Sequence, residues 1–95
     1  MKIIERAPYY KVERAIIDGE QRVMTEERWL LLFVDRLHTK HRQFELKDVY
    51  DISFRMIAAG SGMLYLHTKQ GVYSYNVKES PEPFIQAFKG LKQSD

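Results

Sequence analysis

The chain has 95 residues, 44% of them hydrophobic and 29% charged, a globular composition that leaves room for one core rather than two. Fifteen Lys and Arg against thirteen Asp and Glu give a formal charge of +2, too little to require a polyanionic partner, so nucleic acid is not expected. The absence of cysteine excludes disulfides, thiolate catalysis and Cys-bearing zinc sites, and it fits a reducing, cytoplasmic compartment.

Residues 1–11 read as an N-terminal extension of a single domain. They hold no apolar h-region, so no secretory leader is expected. Val12 to Ile17 reads as a strand entering a tight turn at Asp18-Gly19, with Gln21 to Met24 as its return. Trp29 to Val34 is the longest apolar run, six residues, far short of the about 20 a membrane-spanning helix needs. Two readings fit it. Thr25, Glu26 and Glu27 can cap a helix through the run, or Glu26-Glu27 can turn into a strand covered on both faces.

Gln43 to Lys47 alternates around Phe44 and Leu46, a further strand that turns at Lys47-Asp48. Tyr50, Ile52, Phe54 and Met56 then alternate with polar residues, which predicts a half-buried strand. Ala58 to Gly62 reads as a loop. Met63 to Thr68 and Val72 to Val77 form a hairpin across Lys69-Gln70-Gly71. Ser80-Pro81 starts a helix over 80–91. Its apolar face is Phe84, Ala87, Phe88 and Leu91, Gly90 marks its end, and Gln93 to Asp95 fray.

Chemistry-bearing motifs are sparse. Arg36, Lys40 and Arg42, interleaved with His38 and His41, read first as a solvated loop and second as a candidate anion site. Neither histidine has a Cys, Asp or Glu within two residues, so no metal is assigned, and no cofactor is implied. No Gly-x-Ser-x-Gly, Walker-type or His-Glu-x-x-His motif occurs, and no catalytic residue is assigned.

The "TEERWLLLF" run, the "VYDISFR" strand, the "GMLYLHTKQGVYSYNV" hairpin and the terminal "PEPFIQAFKGL" stretch resemble, in this order, bacterial pleckstrin-homology-like (PH-like) and GRAM-type domains. The resemblance covers roughly residues 12–92. It implies a mainly β fold, a PH-like β-roll or barrel of about seven antiparallel strands with one C-terminal helix, and it favours a strand over residues 28–34. It does not carry a ligand over. Lipid-binding PH domains hold a basic motif between their first two strands, where this chain has the short acidic turn Asp18-Gly19-Glu20.

On the strand reading, Trp29, Leu31 and Phe33 share one face and Leu30, Leu32 and Val34 the other. One face fills the core. The other requires a cover, either the N-terminal segment or a second copy of the chain. Leu30, Leu32 and Val34, with Tyr73 and Tyr75 if exposed, are therefore the candidate interaction surface. Tyr65, Tyr73 and Tyr75 fall on one sheet face only if the hairpin register allows it. The expected function is a noncatalytic protein-interaction module that can pair with itself. The alternative is an anion or membrane-lipid headgroup domain using residues 36–42.

Overall fold

A computed structural model of the chain describes residues 2–93. Seven strands, β1 (Glu5–Ile17), β2 (Glu20–Leu32), β3 (Arg36–His38), β4 (Gln43–Glu45), β5 (Val49–Ala58), β6 (Ser61–Thr68) and β7 (Gly71–Val77), precede one helix, α1 (Glu82–Gln93). A 3-10 turn over Leu46–Asp48 joins β4 to β5. All pairings are antiparallel, and the strands form one sheet in the order β4-β3-β2-β1-β7-β6-β5. The sheet does not close into a barrel, because β4 and β5 remain at its two edges.

The sheet is nevertheless strongly curled. Phe44 in β4 and Tyr73 in β7 lie four strand steps apart, about 19 Å in a flat sheet, yet their ring centroids are 5.2 Å apart. Curling brings Leu30, Leu32, Leu37, Ile52, Leu64 and Leu66 onto one inner face, each at most 1% exposed. Helix α1 lays Phe84, Ile85 and Phe88 against that face. Burying each of these side chains contributes roughly 1.5–3 kcal/mol.

The β1–β2 hairpin turns where Asp18-Gly19 predicts. Asp18 and Gly19 have φ of 53° and 77°, the two positive values that a type I′ turn needs to match the strands' twist. The ladder then runs without a break from Ile17 opposite Glu20 to Glu5 opposite Leu32. Residues 5–11 are thus strand, not an extension, and Thr25, Glu26 and Glu27 lie inside β2 instead of forming a cap or a turn. Residues 28–32 are strand, which settles the two readings of the apolar run.

Three further boundaries differ from the pattern. Tyr50 is 63% exposed because β5 bulges between Val49 and Asp51, which turns Val49 inward in its place. Ser61 and Gly62 belong to β6, leaving only Ala59-Gly60 as the turn. Helix α1 passes through Gly90 to Gln93. Gly90 is exposed, while Lys92 Nζ donates to the Leu46 carbonyl at 3.0 Å beyond it, so tertiary contact offsets the roughly 1 kcal/mol that a helical glycine costs. The start is capped as expected. Ser80 Oγ accepts from the Glu82 N–H at 3.3 Å, and the Pro81 carbonyl accepts from Ile85 at 3.0 Å. The fraying expected of residues 94–95 lies outside the described residues.

Candidate functional site

The molecule is far from spherical, with extents of 56 × 26 × 25 Å and a radius of gyration of 14.8 Å against about 12 Å for a compact chain of this length. The excess is the β1–β2 hairpin. Its base packs Ala7, Tyr9, Leu30 and Leu32 into the core. From Lys11 to its turn, and back to Glu27, both faces of the ribbon are in water.

The neighbouring strands stop short of this distal part. β7 pairs with β1 only at Tyr10 opposite Asn76, and β3 pairs with β2 only at Leu31 and Leu32. Both edges of the ribbon therefore present backbone N–H and C=O groups with no strand beside them among the described residues. Such edges are templates for pairing. The same segment exposes Ile16 at 77%, Val23 at 63% and Met24 at 45%, apolar surface that a solvated loop does not need.

The sequence-derived interaction surface falls elsewhere. Leu30 and Leu32 are 0% exposed and lie in the core, so they offer no surface to a partner. Val34 is exposed but follows the end of β2. The cover that the run required is the curled sheet with α1 on the inner face. On the outer face, Arg6 lies 5.1 Å from the Trp29 ring centroid. Tyr73 and Tyr75 are half-buried against that core, Tyr73 tilted on Phe44 and Tyr75 edge-on to Tyr9 at 5.0 Å. Tyr65 sits opposite Ser74, whereas Tyr73 and Tyr75 sit opposite Leu66 and Leu64. The three tyrosines do not share a face.

The candidate anion residues are also separated. Arg36 lies in β3 beside Phe33 and Asp35. Lys40 and Arg42 belong to the β3–β4 turn, which closes through Thr39 N–H to the Arg42 carbonyl at 2.9 Å and Arg42 N–H to Thr39 Oγ1 at 3.0 Å. Lys40 Nζ donates to Glu26 Oε1 at 2.9 Å, and Arg28 Nε donates to the other oxygen at 2.6 Å. These two cations hold the Glu26 carboxyl below its ordinary value, first through the hydrogen bond from Lys40 and next through that from Arg28. Arg42 stacks 4.8 Å from the Tyr73 ring centroid.

What the fold does assemble is a small cleft on the inner face, about 220 Å³, lined by Lys11, Arg28, His41, Arg42, Tyr9 and Tyr75 among others. No carboxylate lines it. Burial, and next the neighbouring Tyr9, push the Tyr75 phenol above its ordinary value. Sequence reading missed Lys11 and Arg28 because they are remote from residues 36–42. The Asp18-Gly19 turn held the signal, since its register puts Tyr9 opposite Arg28 and Lys11 opposite Glu26.

Of the histidines, His38 packs on Phe33 at 4.8 Å while His41 lines the cleft, and no metal-holding group of three or more His, Asp or Glu occurs among the described residues. His67 Nε2 and Ser53 Oγ are 2.9 Å apart across β5 and β6, a cross-strand pair. No described helix is long and apolar enough to cross a membrane. No family model matches the chain, and no curated protein matches it. The class that the fold defines is a curled, open antiparallel sheet with one terminal helix and a projecting ribbon.

Proposed function

We propose that this chain is a noncatalytic, PH-like interaction module of the cytoplasm that binds protein through the distal β1–β2 ribbon. The observation carrying this reading is the conjunction of two free strand edges with exposed Ile16, Val23 and Met24. Backbone edges supply affinity by strand addition, and the apolar side chains supply contact area. The absence of cysteine supports the reducing compartment. A photocrosslinking residue placed at Val23 in the source cell should capture protein, whereas one at Lys47, in the 3-10 turn between β4 and β5, should not. If Val23 captures no protein, including no copy of the chain itself, the reading fails.

A second reading is favoured by the cleft: a small phosphate or carboxylate ligand held by Lys11 and Arg42, with phenol hydroxyls as further donors, while Arg28 in its wall stays bonded to Glu26. Its signature is calorimetric binding of inorganic phosphate that weakens with salt and is lost in Arg42→Ala. Binding to anionic vesicles but not to free phosphate would assign the site to a lipid headgroup.

A further inference from the structure

The two edges of the ribbon differ in the chemistry beside them. We infer that the β1 edge takes up an extended segment of a partner protein carrying a single acidic side chain, whose carboxylate enters the cleft that holds Lys11 and Arg42. The inference rests on the interaction-module reading above and adds the chemistry of the segment bound.

β1 and β7 part after a single pair, Tyr10 opposite Asn76. Continuing that register would set Lys11 opposite Tyr75 and Val12 opposite Ser74, and neither pair forms. From Lys11 outward β1 is therefore bonded to β2 on one side alone, and an added strand can occupy the side that β7 leaves. The β2 edge is less open at its base, where Lys40 of the β3–β4 turn reaches Glu26.

The cleft lies at this fork, with Lys11, Arg42, Tyr75 and Asn76 in its wall. Two of its cations are uncommitted. Glu26, which faces Lys11 across the ladder, is bonded to Lys40 and Arg28, and neither Lys11 nor Arg42 has a carboxylate within ion-pair distance among the described residues. Arg42 lays its guanidinium on the Tyr73 ring, which positions the group and leaves its N–H donors for a carboxylate. An acid on a strand beside β1 is thus matched by charge. Glu13 follows Lys11 on the same face and is exposed, so it disfavours a second acid, and the edge selects one acidic position over an acidic run. The opposite face presents Val12 and Ile16, 36% and 77% exposed, which match apolar residues on the added strand. A free ion would use the cations and leave both the backbone edge and this apolar surface unpartnered.

The probe is a fluorescein-labelled peptide of alternating valine and threonine with one central threonine replaced by aspartate, its binding to the full chain read by anisotropy. It should bind about tenfold more tightly than the same peptide with asparagine, and added salt should shrink the difference. Lys11→Met and Arg42→Gln should each remove the preference; Lys11 is exposed, so its replacement leaves the fold intact. A peptide with a second aspartate on the same face should bind more weakly than the first, and Glu13→Gln should remove that penalty. Binding should slow amide exchange along residues 11–16. No binding, equal binding of the aspartate and asparagine peptides, protection of the β2 edge in place of β1, or competition between the peptide and self-association of the chain overturns the inference. In that event protein capture at Val23 still upholds the interaction module, and salt-sensitive binding of inorganic phosphate still upholds the small-anion reading.

Discussion

Arg6 and Trp29 meet on the outer face of the sheet, where the guanidinium carbon stands 5.1 Å from the indole centroid. Trp29 remains 42% exposed, so the contact covers part of a ring that the inner core does not reach. Arg6 faces Leu31 across the ladder and Trp29 sits beside it opposite Pro8, which makes this a diagonal cross-strand contact. A cation over an exposed indole contributes about 0.5–1 kcal/mol. Arg6→Ala is expected to lower stability by that amount in denaturant. Trp29 is the sole tryptophan, so its emission should shift to the red in the native baseline; an unchanged spectrum means that the arginine does not shield the ring.

The two sides of the apolar run should respond differently to truncation. Leu32 is 0% exposed and Val34 is 61% exposed. Leu32→Ala is therefore expected to cost about 2–5 kcal/mol, and Val34→Ala to stay within about 0.5 kcal/mol. Urea midpoints at constant slope measure both. Equal losses would place Val34 in a packed environment that its exposure denies.

This region also shows what was legible in the sequence. Asp18-Gly19 announced the hairpin because only a few residue types tolerate two successive positive φ values. Its length was hidden. Pro8 interrupts a strand pattern, since it has no N–H to donate, and Arg, Glu and Thr on a ribbon with both faces wet leave no period of two. The inward face of residues 29–34 depended on how far the sheet curls, a tertiary property carried by contacts such as Phe44 with Tyr73. Gly90 misled because α1 is held past it by Lys92 and by Leu91 against the core. The cleft needed Lys11 and Arg28 brought beside Arg42, which again depends on curling.

Gly62 illustrates a close approach that composition cannot show. A Cβ there would stand 2.6 Å from Met56 Sδ and 2.9 Å from the Arg55 carbonyl oxygen. The sulfur can move, but the carbonyl belongs to the β5 ladder beside a bulge. Gly62→Ala is expected to destabilise the fold by about 1–3 kcal/mol. Gly90→Ala meets nothing within 4 Å and should stabilise α1 by up to about 1 kcal/mol. Thermal melts of the two variants should move in opposite directions.

The Glu26 carboxylate ties the ribbon's base to the β3–β4 turn, and its protonation should loosen that tie. In the folded chain its pKa is lowered, first by the hydrogen bond from Lys40 and next by that from Arg28. A group whose folded value is depressed binds protons more readily when unfolded, so stability rises with pH over the range between the two values. The contribution is complete above the unfolded glutamate value, about 4.3, and is lost as pH falls through the folded value. Carboxyl-detected NMR should show Glu26 titrating below the ordinary glutamate range. Lys40→Met and Arg28→Gln should each move its midpoint upward, since each removes a hydrogen bond to the carboxylate. The Thr39 N–H, bonded to the Arg42 carbonyl within the same turn, should exchange faster with solvent once Glu26 is protonated. A Glu26 midpoint unmoved by Lys40→Met would mean that the turn is not fastened to β2 by this pair.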